Sequence, residues 1–583
     1  MEYSNIPSAR NLVLTFKTRN VKHIVISPGS RNAPLTLSFA NDPFFECFSI
    51  VDERSAAFFA MGIAQQKREP VAVVCTSGSA LLNYYPAVAE AFYSAIPLIV
   101  VSADRPPYKI DIGDGQTIRQ DLVFDRHIGY STNLKLDISH AAETIKEFRP
   151  KFLEGAQEEV ESFNKSEVDR AIWVARDQQV PVHINIPFEE PLYGRIQYDK
   201  PLEKDRFSNI QRTTKAPLEL AEARTAWATA KRKMVLVGVN SPDTITSTLL
   251  EILAGDTSVL VFTETTSNLH HTNFFPSIDS IIFPIEKAKN SEKLFNALQA
   301  DILLTFGGLI VSKKVKAFLR KYKPKQHWHV SQGKAYDTYF ALSKHFKTDA
   351  NSFLKGLLPG SRAVKGDYRA LWDEHKQRYL ARRKDYLKII PFSDFKAFDR
   401  ILATIPEGYR LQLSNSSTVR YAQLFDIPSS VAVFCNRGTS GIDGSTSTAV
   451  GAAYHSNTPT VLITGDLSFF YDSNALWNSY VRSDFRILLI NNSGGGIFRI
   501  LPGFDGSALF SKYFETTHQL TAAPICEQFG LQYSAVHNQY ELEDALNGFY
   551  QQASKAKVLE IFTPREANNK ILLDYFDFIS SDN

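Results

Sequence analysis

TVLITGDLS, residues 460–468, and RILLINNSGGG, residues 486–496, each read as a short apolar strand running straight into polar or glycine-rich residues. Strands that are apolar throughout, with no polar alternation, belong to parallel sheets covered on both faces. A right-handed crossover sets the two strands side by side and pointing the same way. Asp466 and Asn492, 26 residues apart, then emerge together at the carboxyl edge, where ligands bind in open α/β sheets.

Working outward, the same alternation of β-branched runs and amphipathic segments recurs in three blocks. The first holds VKHIVIS (21–27), CFSIVD (47–52), VAVVCT (71–76), PLIVVS (97–102) and VHINI (182–186). The second holds MVLVGV (234–239), SVLVF (258–262), ILLTF (302–306) and HWHVS (327–331). The third adds VAVFC (431–435) and VLEIF (558–562) to the opening pair. The expected fold class is α/β, with three doubly wound parallel-sheet domains over 1–190, 215–350 and 390–583, the first and third open to being similar folds. Linkers are expected at 190–215, around Pro191, Pro201 and Pro217, and at about 350–395. The second linker carries a basic helix whose Tyr368, Trp372, Tyr379 and Tyr386 share one face, a stripe read as packing.

The whole chain of 583 residues, 44% apolar and 22% charged, has the composition of a soluble globular protein and excludes disordered, collagen-like and disulfide-scaffold classes. With 65 Lys and Arg against 62 Asp and Glu, the net charge of +3 creates no global field for nucleic acid or a membrane surface. Cys47, Cys75, Cys435 and Cys526 are widely spaced and form no Cys-x-x-Cys pair, as expected of reduced thiols. No signal peptide or membrane-spanning run is read, and a cytoplasmic location is expected.

Chemistry concentrates at strand ends. A hard divalent cation such as Mg²⁺ takes about six oxygens. The Asp466 carboxylate, the Asn492 amide oxygen and a backbone carbonyl near Gly494 offer three of them. The same residues also read as a helix-capping acid and a glycine-rich turn, and the residues alone leave both readings open. In the first block, Glu53 follows a strand and opens a helix, where an acid favours the helix dipole. Ser30 and Arg31 follow the first strand, Arg105 follows the fourth, and Gln116 lies in the loop beyond. Arg offers carboxylates a two-pronged geometry, so these loops read as anion sites or as ordinary turns. Lys313, Lys314, Ser416, Arg420 and Arg437 are further donors beside strand ends. Neither a Walker lysine nor a strand-turn-helix GxGxxG is present.

Taken together, SPGSRNAPL (27–35), VDERSAAF (51–58), TSGSALLNYYPAVAEA (76–91), SADRPP (102–107), NRGTSGIDG (436–444), GDLS (465–468) and NNSGGGIF (491–498) resemble the 2-succinyl-5-enolpyruvyl-6-hydroxy-3-cyclohexene-1-carboxylate synthases, thiamine-diphosphate-dependent enzymes of menaquinone biosynthesis. The resemblance implies a pyrimidine-binding domain (1–190), a central domain (215–350) and a diphosphate- and metal-binding domain (390–583). It implies a homodimer or homotetramer with active sites between subunits. Glu53 would bond the cofactor's aminopyrimidine ring and activate it. Asp466, Asn492 and the Gly494 carbonyl would hold Mg²⁺ or Mn²⁺, Ile442 would prop the bent cofactor, and Leu467 and Ser468 would line its site. Ser30, Arg31, Arg105, Gln116 and Ser416 would serve both catalysis and substrate binding. Lys313, Lys314, Arg420 and Arg437 would complete the grip on 2-oxoglutarate and isochorismate, with Ile497, Phe498 and Leu501 as an apolar wall. Two positions depart from the pattern: Leu467 stands where many thiamine enzymes carry Gly, and Lys314 stands where Arg is expected. The rival readings are another thiamine-dependent carboligase, such as an acetohydroxyacid synthase, and a catalytically silent homologue acting as a binding subunit.

Overall fold

The computed structural model describes residues 1–199, 220–358, 366–456, 458–500 and 506–581. Among the described residues, three parallel sheets with helical crossovers organise the chain, beside a small antiparallel pair of Glu2–Ser4 with Arg195–Gln197. The first is built from β1 (His23–Ile26), β2 (Glu46–Ser49), β3 (Val71–Cys75), β4 (Leu98–Asp104), β5 (Tyr130–Asn133) and β6 (Val182–Pro187), in the order β2-β1-β3-β4-β6-β5. The second is built from β7 (Lys233–Val237), β8 (Val259–Thr263), β9 (Ile302–Phe306), β10 (Gln326–Val330) and β11 (Leu342–Phe346), in the order β8-β7-β9-β10-β11. The third is built from β12 (Arg410–Leu413), β13 (Ala432–Cys435), β14 (Thr460–Gly465), β15 (Arg486–Asn491), β16 (Gln532–Val536) and β17 (Lys557–Phe562), in the order β13-β12-β14-β15-β17-β16. The first and third sheets therefore share one winding order. Their central strands are buried from end to end, as the continuous apolar runs require.

By compactness the chain divides into two units. One comprises Met1–Thr213, Gly438–Asn457 and Asp472–Arg482; the other comprises Thr214–Arg437, Thr458–Tyr471 and Ser483–Asn583.

Within the first unit, the helix Glu53–Lys67 begins at Asp52, whose side chain accepts the Ser55 N–H at 3.1 Å, and ends at Arg68 in the left-handed region. Its buried residues include Ala56, Ala57, Ala60, Gly62 and Ala64, and it packs on the helix Ser445–Ser456, which buries Ala449, Gly451, Ala452 and Ala453. At the crossing the backbones touch: a Cβ at Gly62 would lie 2.2 Å from the Thr448 carbonyl oxygen, and one at Gly451 would lie 2.1 Å from that of Phe59. The Ser55 and Ser447 hydroxyls pair at 2.9 Å near the start of the contact.

In the second unit, one apolar core runs from Met234 and Leu236 through Leu411 and Val461 to Tyr575. The segment read as a second linker is instead an integral part of this core. Its helix Tyr368–Ile389 buries Tyr368, Trp372, Tyr379 and Tyr386, and the hydroxyls of Tyr368, Tyr379 and Tyr386 bond the carbonyls of Leu298, Pro276 and Ile571. Aromatic bodies seat that face, the three tyrosines with bonded hydroxyls and Trp372 with a buried Nε1 that has no hydrogen-bond partner. The first expected linker lies largely outside the described residues, and no helix among the described residues is long and apolar enough to cross a membrane. The four cysteines are free thiols, three of them buried.

Replacing Gly62 with Ala should lower stability by about 1–3 kcal/mol, because the added methyl meets a backbone oxygen that only a shift of the helix pair can clear. Gly548→Ala, in a helix where the added Cβ meets nothing within 4 Å, should be neutral or stabilising by up to about 1 kcal/mol. Thermal unfolding of the two variants checks the contrast.

Candidate active site

The carboxyl edge of the first sheet gathers four of the expected residues. Arg31 leaves the loop after β1 and is buried against the end of β6, where its guanidinium donates to the Phe188 carbonyl and to Glu190, each at 3.1 Å. Arg105 follows β4; it donates to the Ser77 hydroxyl and, at 3.2 Å, to the Gln116 carbonyl. Burial, followed by the charge of Arg31, holds the Arg105 guanidinium below its ordinary pKa. Each of these two arginines keeps a buried Nε without a hydrogen-bond partner. Like charges drawn together with unspent donors suit an anion. Ser30 and Gln116 are exposed on the flanking loops, Gln116 with φ of 55°.

The arginine edge rests on a buried polar network. Asp104 accepts the Arg105 N–H at 2.8 Å and the Asn185 amide at 2.9 Å, and Asn185 in turn accepts from Ser102 and Gln120. Gln120 reaches on to accept the Gly78 N–H at 2.8 Å.

Glu53 is the first residue of its helix, half-buried, and accepts from the Asn83 amide at 3.2 Å. The neighbouring Arg54 turns the other way, to the buried Asp472 and the Asp443 carbonyl. Ile442, also half-buried, precedes the helix that packs on the Glu53 helix.

In the second unit, Gly465 pairs with Ile490, so Asp466 and Asn492 leave adjacent strands at nearly the same level. The Asp466 carboxylate accepts the Leu467 N–H at 2.7 Å and the Gly494 N–H at 2.9 Å, and His518 Nε2 approaches it at 3.3 Å. Asn492 donates its amide to Asp394 at 2.9 Å, while its buried Oδ1 has no partner. Gly494 has φ of 139°, a conformation that favours glycine, and a Cβ there would lie 2.7 Å from the Glu515 carbonyl oxygen. That carbonyl accepts the Gly495 N–H at 2.7 Å, and the Glu515 carboxylate is held between Arg499 and Arg565. A carboxylate, an unpartnered amide oxygen and a glycine-loop carbonyl are the donor chemistry that a hard cation takes, so these residues fit Mg²⁺ or Mn²⁺. Ser468 is buried behind Asp466, and Leu467 is half-buried. Ile497 and Phe498 follow the glycines in a short 3-10 turn, with Phe498 edge-on to Phe514; Leu501 lies outside the described residues.

A second group of cations stands on β12, β13 and the loop after β9. Ser416, with φ of 65°, precedes a short helix without capping it, and its carbonyl accepts from Arg420 at 2.5 Å. Arg437 donates to the Asn415 side chain at 2.6 Å. Burial, then the charge of Arg437, lowers the Arg420 pKa. Lys313 is exposed at the start of the helix Lys313–Lys321. Lys314 instead pairs with Glu286 and lies 4.6 Å from the centre of the Phe283 ring, an arrangement of a point charge that needs no guanidinium fork.

Sequence reading passed over the acids beneath these cations. Glu264, fully buried after β8, accepts the Val311 and Ser312 N–H groups, each at 2.8 Å, and so fixes the start of the Lys313 helix; Ser312 also donates to Asp279. Its only sequence signal is an acid following a strand. Burial pushes Glu264 up to about 7, against which its backbone hydrogen bonds act.

The chain matches three family models: the thiamine pyrophosphate enzyme N-terminal TPP binding domain over residues 8–125, the middle domain of thiamine pyrophosphate enzymes over 203–388, and the C-terminal TPP binding domain over 416–561. It is 52% identical over 583 residues, covering 100% of both chains, to a 2-succinyl-5-enolpyruvyl-6-hydroxy-3-cyclohexene-1-carboxylate synthase of Christiangramia forsetii. The protein of the same name from Flavobacterium psychrophilum is 50% identical, with 99% of each chain covered. That of Porphyromonas gingivalis is 36% identical, with 100% of this chain and 98% of the other covered.

Because the folded state raises the Glu264 pKa above its ordinary 4.5, the stability associated with the protonated form is complete below about 4.5 and is lost as pH rises through about 7. Glu264→Gln should remove that loss. The variant loses one accepted N–H bond at every pH, but its stability relative to the parent should improve as pH rises from 5 to 8, by an amount on the order of 2–3 kcal/mol. A parallel pair of melting curves across this range checks the sign.

Proposed function

This chain belongs to the 2-succinyl-5-enolpyruvyl-6-hydroxy-3-cyclohexene-1-carboxylate synthase family of thiamine-diphosphate enzymes, and on that premise we propose that it decarboxylates 2-oxoglutarate and adds the remaining four-carbon fragment to isochorismate in a 1,4 sense, releasing CO₂. The observation that carries this reading is the pair Arg31 and Arg105, brought to one strand edge, each with a buried Nε that makes no hydrogen bond, that of Arg105 lying 3.9 Å from the Asp114 carboxylate. A substrate bearing several carboxylates suits that edge; a small apolar 2-oxo acid leaves its charge uncompensated.

Bound thiamine diphosphate supplies the electron sink that lets a 2-oxo acid lose CO₂ and its residual fragment act as a nucleophile. The chain supplies the rest. Glu53 holds a proton at its carboxyl oxygen against the pyrimidine ring and exchanges it there. Asp466, Asn492 and the Gly494 carbonyl would hold Mg²⁺ or Mn²⁺, with Leu467 and Ser468 beside them, and Ile442 would support the cofactor. Ser30, Arg31, Arg105 and Gln116 orient one polyanion. Lys313, Ser416, Arg420 and Arg437 take the other, with Lys314 contributing charge. Ile497 and Phe498 exclude water from the reacting centre. The working assembly is a cytoplasmic homodimer or homotetramer with active sites between subunits; its domains take in 1–190, 215–350 and 390–583, with the helix Tyr368–Ile389 packed into the core of the second unit.

Purified protein given Mg²⁺, thiamine diphosphate, 2-oxoglutarate and isochorismate should release CO₂ and consume isochorismate; turnover of pyruvate in place of 2-oxoglutarate sinks the assignment. Glu53→Gln should lower kcat by about 10²–10⁴-fold, the range of a lost proton-transfer group, while circular dichroism stays unchanged. Full activity in that variant removes Glu53 from the chemistry.

A further inference from the structure

The side chain of Asn492 is held by one end only. Its Nδ2 donates to Asp394 Oδ2 at 2.9 Å, and its Oδ1 is buried without a partner. Asp394 stands at the start of the helix Asp394–Thr404 and is buried. Its other oxygen, Oδ1, accepts the Thr563 hydroxyl at 2.6 Å, and its backbone N–H donates to Asn568 Oδ1 at 2.8 Å. Asn568 returns its amide to the Thr563 hydroxyl at 3.3 Å, and the Thr563 N–H donates to the Asn491 carbonyl at 3.1 Å. The carboxylate is therefore fixed from the end of β17 and from the helix that follows it.

An ionised carboxylate accepts hydrogen bonds and donates none, so the amide edge facing it must be the NH₂. An asparagine amide is otherwise free to present either edge, because oxygen and nitrogen have nearly the same shape. We propose that Asp394, locked by Thr563 and Asn568, is the positioning residue that sets the amide of Asn492 with its oxygen turned toward the cation site beside Asp466. This rests on the metal role given to Asn492 above and extends it to a residue 98 positions earlier in the chain. Outer partners of this kind orient a ligand and typically govern metal affinity by 10–100-fold.

The test is Mn²⁺ binding to the full-length protein in the presence of thiamine diphosphate, read from the electron paramagnetic resonance signal of free Mn²⁺. Asp394→Asn keeps the shape but can meet either edge of the Asn492 amide, and it should weaken Mn²⁺ binding by about 10–100-fold while the melting temperature of the metal-free protein is retained. Thr563→Val frees one carboxylate oxygen and should weaken binding in the same direction; it decides the matter should Asp394→Asn not fold. A charge effect of Asp394 on the nearby Asp466 is separated by a double-mutant cycle. If Asp394 acts through Asn492, then in an Asn492→Ala background Asp394→Asn costs no further affinity. Losses that multiply in full, or parent-like Mn²⁺ affinity in the folded single variants, overturn the proposal. A parent protein that takes up no Mn²⁺ with thiamine diphosphate overturns the metal reading itself, a failure visible before any variant is compared.

Discussion

Val461 pairs with Arg486 and Gly465 with Ile490, and this parallel register is the constraint on which the second unit's chemistry depends. Parallel strands send their carboxyl ends to one edge, so side chains far apart in sequence become neighbours without any element being bent to bring them there. Asp466 and Asn492 are delivered in this way, and a slip of one residue would turn one of them to the opposite face of the sheet. The glycines that follow can then be spent on the loop, with Gly494 taking a backbone angle that other residues resist.

The same rule operates in the first unit, where β1, β4 and β6 bring Arg31, Arg105 and Glu190 to a common edge. Electrostatics there is held in tension. Two guanidiniums share a small region, the Asp104 carboxylate lies beneath one of them, and Glu190 meets the other. A net charge of +3 over the chain gives no hint of this local concentration. Bulk charge describes encounter; a pocket is decided by which charges the strands place side by side.

Much of the architecture was legible because its signals are local. Continuous apolar runs mark the strands, and the strand-end positions of Glu53, Arg31, Arg105, Asp466 and Asn492 follow from where those runs stop. The aromatic stripe of Tyr368–Ile389 was legible as packing, yet its place in a core was not, since periodicity identifies a buried face without naming what covers it. The supporting acids were hidden for a related reason. Asp394 reaches Asn492 across 98 residues and Glu264 reaches Val311 across 47, and nothing in the residue types beside either acid distinguishes it from an ordinary helix-capping carboxylate. Lys314 shows the reverse case: a departure from the expected Arg becomes intelligible once Glu286 and the face of Phe283 are seen to receive a single ammonium.

The glycine contact between the helices Glu53–Lys67 and Ser445–Ser456 acts on the carboxylate at the helix start as a keyed shaft acts on its wheel. Gly62 fits only where Thr448 presents its carbonyl, and Gly451 only where Phe59 does, so the helix can neither slide by a turn of about 5.4 Å nor roll without driving side chains into backbone. Glu53, nine residues before Gly62, inherits both restrictions through a rigid rod. What freedom it retains is torsion about its own side-chain bonds. The carboxyl group proposed for proton transfer is thereby placed by an interlock more than two helical turns away, made of two glycines and the backbone carbonyls they meet.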